Sequence, residues 1–579
     1  MINFIKILLS SLDNKHLRQL IILFVMIFFS IFLEMLGIGL IIPMINVIIN
    51  NEYLEKFPLI INVLNYFGNP TNDKLLIFFI ILFAGVYLIK NIFLSTLIFI
   101  KTSFIFSVGN FYAKKLLKLY LKKPYSFHNE NNSSKLINNL INETSLASGQ
   151  FLLSIIDLII EFLLIIGIFF ILFFVEPKLT IFVTFGFLFF ALIYFLSVKK
   201  KILNYGYLRQ ITNNLRLKLY NETFVNIKFH LIYKKTEKLI KDIVDNLENI
   251  RILNTRYVFL QHLPRYLLEF LVVIIFCIII LTFSYSKILG VSNLVPALAL
   301  FSAAAYKILP SINKIIQRLQ NLKFAKSAIK LISEELKGEI KIENNFEAQT
   351  NKEKLKFYNL IINNVSFNFN KESKPIFSNI SLEIVKGKIY GFIGPTGSGK
   401  STLIDILMYL HNLEGGELIL NNKINLKNRE NDWHKLIGYV PQRVFLQDDS
   451  IKNNIAFGEH EHEINKENLL KSIRSSQLEN FILSLKDGLD TKVGENASKL
   501  SGGQIQRIGI ARALYLDPEI LFLDEITSSL DAKTEQEILS LIKSLKKEKT
   551  IIFITHNKSN LEICDEVYEV NNQNLIKKK

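Results

Sequence analysis

Residues 394–401 read Gly394-Pro395-Thr396-Gly397-Ser398-Gly399-Lys400-Ser401 and are followed by Thr402. This is the pattern of a phosphate-binding loop. Its glycines let successive backbone N–H groups turn inward around phosphates, Lys400 is spaced to reach the β- and γ-phosphates, and the Ser401 hydroxyl is placed to bind Mg²⁺. The flanks supply the context the loop needs. Residues 389–393 (Ile-Tyr-Gly-Phe-Ile) read as a short buried strand and 402–408 (Thr-Leu-Ile-Asp-Ile-Leu-Met) as the start of a helix, whose N-terminus presents unpaired amides and a positive dipole end to an anion. A chance glycine-rich turn would carry no such order of strand, loop and helix.

The composition sets this nucleotide site on an unusual partner. Half of the 579 residues are hydrophobic, the net charge is +17, and there are 47 Phe beside one Trp. Apolar runs of the length needed to cross a bilayer, about 20 residues each, crowd the first 320 or so positions, whereas the remainder has ordinary globular composition. The chain therefore reads as a membrane domain followed by a nucleotide-binding domain, which excludes a soluble nucleic-acid ATPase. Cys277 and Cys564 have neither disulfide nor metal-ligand spacing and read as packing residues.

Residues 1–18 are weakly amphipathic, and the spacing predicts an interfacial elbow helix rather than a cleaved signal, since no small-residue cleavage site follows. Hydropathy predicts six spans within a membrane domain of 19–320, at about 19–48, 75–106, 147–174, 178–200, 258–284 and 291–314. The segments 101–145 and 199–257 are long and lysine-rich, whereas the turns near Glu176-Pro177 and Ser284–Ser286 are short. The positive-inside rule then places both termini and the nucleotide-binding domain in the cytoplasm. The basic segments read as helices continuing out of the membrane, broken by turns at 124–128 and 226–230 that are positioned to dock on the nucleotide-binding domain. A solvated charged face or a nucleic-acid patch is the blander reading of those lysines; basic runs beside a membrane usually set topology and meet acidic lipid. Residues 49–74 are too apolar for a plain loop and read as a short helix on the outer leaflet or as packing against the spans.

A polar connector, 321–355, leads into the nucleotide-binding domain, 356–579. Ile520-Leu521-Phe522-Leu523-Asp524 is an apolar strand ending in an acid, the arrangement that holds Mg²⁺ opposite a phosphate loop, and Glu525 is placed to orient or deprotonate the attacking water.

Leu500-Ser501-Gly502-Gly503-Gln504 resembles the signature sequence of ATP-binding cassette (ABC) proteins. Gln442 in Tyr439-Val440-Pro441-Gln442 is similar to their Q-loop glutamine, which contributes to the metal site, Asp531 in Ser528-Ser529-Leu530-Asp531 to their D-loop, and His556 to their switch histidine. Phe369 matches the aromatic that stacks on adenine, and Thr491–Glu495 resembles an exporter's coupling segment, with Ala497 where a glycine is common. The resemblance implies a six-helix, all-α membrane domain of the type IV exporter kind fused to an α/β P-loop NTPase, with ATP and Mg²⁺ as cofactors. It implies catalytic roles for Glu525, His556 and Gln442. In the family ATP is sandwiched between the phosphate loop of one domain and the signature of another, so this single set implies a homodimer, or a heterodimer, in a bacterial inner membrane.

Charges inside spans are costly and mark functional candidates. Here they are Lys90, Arg265, Lys307 and Lys314, with Glu34, Asp157, Glu161 and Glu269. Arg265 and Glu269 are spaced to pair on a helix, and any single cation is read first as snorkelling or salt-bridged. Together, the four basic groups suggest a cavity for an anionic head. Residues 34–43, 263–266 and 306–314 resemble bacterial flippases of polyprenyl-pyrophosphate-linked oligosaccharides, which tend to have Arg where this chain has Lys90, Lys307 and Lys314. The resemblance implies an ATP-driven flippase of such a lipid. An exporter of lipid, peptide or drug is the alternative, and a non-transporting nucleotide-gated regulator the reading from a different class.

Overall fold

A computed structural model describes the chain apart from residues 1–5, 8–9, 41–71, 176, 286–290, 347–354, 370–374, 529 and 572; of some helical residues, among them 291–305 and Lys307, it describes the backbone alone. The sequence expectation for 49–71 lies outside the described residues. Contacts divide the chain into two compact units, one of residues 1–123 and 128–349, the other of 124–127 and 350–579.

The first unit is helical: α1 (Asn14–Gly39), α2 (Asn72–Leu121), α3 (Leu153–Val175), α4 (Pro177–Val225), α5 (Thr236–Tyr285), α6 (Val291–Phe324) and α7 (Lys326–Phe346). A helix stands at each of the six expected spans. Five are long and apolar enough to cross a membrane among the described residues. Hydropathy marks where lipid would lie, not where a helix stops. Thus α2 runs 50 residues, to Leu121 rather than 106, roughly 75 Å at 1.5 Å per residue against a hydrocarbon core of about 30 Å. Pro124 then follows, and Pro177 opens α4 at the position where a missing N–H costs nothing. Of the expected elbow, Asn14–Arg18 are the first turn of α1, with His16 buried against Phe104 and Phe111. The connector expected from 321 begins as helix. Among the described side chains of α7, those of 326–337, the buried ones are Ala328, Ile329, Ile332, Ser333 and Leu336, which share one face and leave the polar residues on the other.

Large apolar side chains such as Phe99, Phe174 and Phe185 point outward, as lipid contact requires. Inside, α4, α5 and α6 meet in a knot. Tyr257 stacks on Phe324 with centroids 3.9 Å apart, and the Arg209 guanidinium lies over the same ring while pairing with the fully buried Glu143 at 3.0 Å. At Gly206 a Cβ would sit 2.2 Å from the Phe324 carbonyl oxygen, so only glycine lets α4 approach so closely.

The second unit is α/β. An antiparallel sheet has the order β2-β1-β4-β5, from β1 (Asn359–Phe367), β2 (Phe377–Val385), β4 (Gly415–Leu420) and β5 (Ile424–Asn425). The larger sheet has the order β10-β9-β3-β8-β7-β6, from β3 (Ile389–Ile393), β6 (Ile437–Val440), β7 (Ile520–Asp524), β8 (Thr550–Ile554), β9 (Glu566–Asn571) and β10 (Asn574–Lys577), with β6, β7, β8, β3 and β9 parallel. Strand β7 is buried at every residue, the continuous apolar run expected of a strand covered on both faces. Three helices matter for the site: α8 (Lys400–Leu407), α9 (Gly502–Tyr515) and α10 (Ala532–Leu545). Cys564 packs under Gly391, and burial pushes its thiol up to about 12, an inert packing residue. Residues 124–127, one of the expected docking turns, belong to this unit, where the Tyr125 ring lies edge-on to His411 at 5.6 Å.

Gly206→Val should lower the melting temperature of the detergent-solubilised protein, as overpacking of about 1–3 kcal/mol does, whereas Gly186→Ala on the open side of the same helix should not. Equal melting temperatures would show that the α4–α6 contact is dispensable.

Candidate functional site

Strand β3 ends at Ile393, and the loop of 394–399 turns the chain into α8 with Gly399 in the left-handed region at φ +98°. A Cβ at Gly394 would lie 2.4 Å from the Val570 carbonyl oxygen, so both glycines are demanded by the backbone. The loop, with the ends of β6, β7 and β8, surrounds a cavity of about 400 Å³ lined by Phe369, Lys400, Ser401, Gln442, Glu525 and His556, with Ile376, Thr396, Gly397, Gly399 and Thr402 completing it. Residues up to 187 positions apart are thus brought to one place (556 minus 369).

Lys400 Nζ donates to the carbonyl oxygens of Gly394 and Pro395 at 2.9 and 3.0 Å. Burial holds its pKa below the usual lysine range, while the negative charges of Glu525 and Asp524 oppose that shift. Burial raises Asp524, partly countered by a hydrogen bond from Ser401; the Glu525 charge raises it further. Asp524 Oδ1 and Ser398 Oγ are buried without a partner. An orphaned carboxylate oxygen beside Ser401 fits a cation, and an orphaned hydroxyl in the loop fits a phosphate oxygen. The donor set of Ser401, Gln442 and Asp524 is one of hard oxygens suited to Mg²⁺.

Glu525 follows β7 in the left-handed region at φ +48°. Its carboxylate is clamped: Gln442 Nε2 donates to Oε2 at 2.6 Å, and His556 Nε2 lies 2.5 Å from Oε1. The glutamate is therefore tied to the segment after β6 through Gln442 and to the segment after β8 through His556. Phe369 stands 53% exposed over the cavity, edge-on to Phe367 and to the buried His411. Ile376 and His411 were not anticipated; nothing in their local spacing marks them, since both act by packing across the sheet.

The signature lies elsewhere. Ser501 caps α9, its Oγ accepting from the Gln504 N–H while Gln504 Oε1 accepts from the Ser501 N–H at 2.8 Å, a reciprocal capping box. Ser501, Gly502, Gly503 and Gln504 do not line the cavity of their own chain, and neither does Asp531, which caps α10 by accepting from Lys533, Thr534 and the Thr534 hydroxyl.

Residues 377–528 match the family model described as ABC transporter. The second unit is an ABC transporter domain, a class that binds ATP. The chain is 36% identical to an ATP-dependent lipid A-core flippase of Idiomarina loihiensis, over 38% of each chain, and 38% identical to the corresponding flippase of Pasteurella multocida, over 36% of each. It thus spans well under half the length of the curated relatives it matches. A bacterial Atm1-family ABC exporter solved with ATP bound matches 97% of this chain and 95% of its own with a TM-score of 0.76, at 17% identity. The whole chain has the type IV ABC exporter fold.

Within the first unit the expected basic residues all sit beside acids, save Lys307, whose side chain lies outside the described residues. Lys90, buried over the Tyr87 ring, reaches Glu34 at 3.4 Å; Arg265 pairs with Glu269 at 3.0 Å; Lys314 pairs with Glu161 at 2.8 Å. A cavity of about 580 Å³ is lined by Arg265, Glu269, Tyr306, Asn313 and Lys314 among others, and Asn313 Oδ1 is buried without a partner. Of these pairs Lys90 and Glu34 are both buried, where a cation without an acid beside it would be costly.

Glu525→Gln should cut steady-state ATP hydrolysis by about 10²–10⁴-fold, the weight of general-base catalysis, while leaving binding of a fluorescent ATP analogue within a few-fold of wild type. Unchanged hydrolysis would remove Glu525 from the water-activating role.

Proposed function

We propose that the chain is half of a two-fold ABC exporter that uses ATP to move an anionic lipid-linked substrate across a bacterial inner membrane, with a polyprenyl-pyrophosphate-linked oligosaccharide as its cargo. The observation that carries the reading is the cavity of Arg265, Tyr306, Asn313 and Lys314, in which cations and amide groups meet on facing helices of an exporter fold. Relatives named as lipid A-core flippases support a lipid cargo. Of the stretches that resemble oligosaccharide-lipid flippases, 263–266 and 306–314 supply Arg265, Tyr306, Asn313 and Lys314 of that cavity.

At the nucleotide site Lys400 would exchange its carbonyl partners for phosphate oxygens, a stronger charge-assisted bond. Ser401, Asp524 and Gln442 would hold Mg²⁺, which supplies charge neutralisation to the phosphates when bound. Glu525 would take the proton of the attacking water, and His556 would keep the carboxylate aligned. Because Ser501–Gln504 and Asp531 stand apart from the cavity of their own chain, a second copy would bring its signature to close the nucleotide in, making a homodimer with two equivalent sites. Both termini and the nucleotide-binding domain would lie in the cytoplasm. Residues 1–18 would lie at the interface, 19–320 form the membrane domain, 321–355 the connection and 356–579 the ATPase.

In proteoliposomes a fluorescent polyprenyl-pyrophosphate oligosaccharide should be flipped with ATP, a neutral dye should not, and combined neutralisation of Lys90, Arg265 and Lys307 should abolish flipping. Equal transport of dye and saccharide lipid, or full flipping by the triple variant, would contradict an anionic cargo.

A further inference from the structure

A second cavity in the membrane unit, about 490 Å³, opens beside the first and shares Lys314 with it. Its lining includes Lys101 of α2, Asp157 and Glu161 of α3, and Lys314 and Arg318 of α6. Asp157 is held from both sides: Lys101 Nζ lies 2.7 Å from Oδ1 and Arg318 Nη2 lies 2.8 Å from Oδ2. One carboxylate thus bridges two cations carried by two other helices, with the carboxylate 11% and the lysine 15% exposed. Among the described residues, and counting Lys90, which reaches the lining Glu34, four cations (Lys90, Lys101, Lys314, Arg318) face three carboxylates (Glu34, Asp157, Glu161), one positive charge in excess.

Two features make this more than a structural tie. The two cations present donors to two oxygens of one planar anion, which is also the way a phosphate is recognised by a pair of basic groups. And the bridge borders open space large enough for a hydrated head group, within the usual range of ligand pockets, about 300–1,000 Å³.

We propose that Lys101 and Arg318 form an anion subsite that the chain's own Asp157 occupies in the resting state, and that the phosphate of a lipid-linked substrate displaces Asp157 to bind there. The proposal rests on the reading of the membrane unit as a carrier of anionic lipid. A pyrophosphate carries more charge than a carboxylate and attracts the same cation pair more strongly. Displacement breaks the tie of α3 to Lys101 of α2 and to Arg318 of α6 at once, leaving Glu161–Lys314 as the ion pair between α3 and α6. Substrate binding is thereby linked to a change in helix packing, through a difference in affinity between the bridged and unbridged arrangements. Asp157 is a competitor for the site and a positioning residue for its cations. It does not itself touch the substrate.

The test is ATPase stimulation of the full-length protein in phosphatidylcholine vesicles, titrated with farnesyl pyrophosphate, with farnesol and inorganic pyrophosphate as separate arms. In the wild type, farnesyl pyrophosphate should stimulate and the other two should not. Asp157→Asn, which removes the competing charge, should lower the half-maximal concentration about tenfold, and Arg318→Gln should raise it about tenfold or more, as expected for a charge-assisted bond lost. If both variants merely melt earlier and keep the wild-type midpoint, the bridge is structural and the subsite is wrong. An increase in midpoint with Asp157→Asn overturns it equally, and stimulation by inorganic pyrophosphate at the same concentrations overturns the lipid assignment. No response of the wild type to farnesyl pyrophosphate removes the anionic-cargo reading and the subsite with it, an outcome distinct from an unmoved midpoint. Should Asp157→Asn fail to fold, Arg318→Gln alone decides.

Discussion

A charge taken out of water must find a partner, and the particular features of this chain follow from where its buried charges find theirs. In the nucleotide-binding unit burial lowers the pKa of Lys400, and the negative charges of Glu525 and Asp524 oppose that shift. In the membrane unit the same constraint produces Glu34–Lys90, Glu161–Lys314 and the two-sided hold on Asp157. Each such group is costly to bury and more costly to orphan, so each becomes a point where a competing charge can rearrange the structure. Under the proposed function, phosphates are the competing charge in both units.

The two units solve the problem differently. The ATPase unit keeps two polar atoms, Asp524 Oδ1 and Ser398 Oγ, buried without partners, a cost held by the surrounding sheet and a sign of groups reserved for a ligand. The membrane unit pairs Lys90, Lys101, Arg265, Lys314 and Arg318 with acids and instead provides space beside the pairs. Rigid preorganisation suits a site that always takes the same nucleotide phosphates. Paired charges suit a site whose ligand must enter and then leave.

Much of this was legible in the sequence, for reasons that differ by element. The phosphate loop, the strand ending in Asp524 and the signature at Ser501 are local patterns, and their spacing is dictated by backbone geometry around an anion, so they can be read without tertiary information. The spans were legible from composition, but their ends were not: α2 continues to Leu121 because helix formation does not stop where lipid does. The connector's polar composition did not show that α7 begins within it and buries Ala328, Ile329, Ile332, Ser333 and Leu336, a matter of which face meets α4 and the neighbouring helices. Least legible was the membrane charge network. Asp157 stands out in an apolar run, but nothing local marks Lys101 or Arg318, and only the register of α2 and α6 against α3 turns them into its partners. The clamp on Glu525 by Gln442 and His556 is of the same kind, each residue recognisable and the hydrogen bonds between them set by parallel β6, β7 and β8.

The account stands on the claim that hydrolysis in one unit drives lipid movement through the other. The most direct test counts both in one vesicle preparation: molecules of pyrophosphate-linked saccharide lipid moved across the bilayer, and ATP hydrolysed, as a function of time. The account predicts that the two rise together in a fixed ratio and that movement stops when ATP is exhausted. Sustained hydrolysis with no lipid moved, or movement that proceeds without ATP, would contradict it.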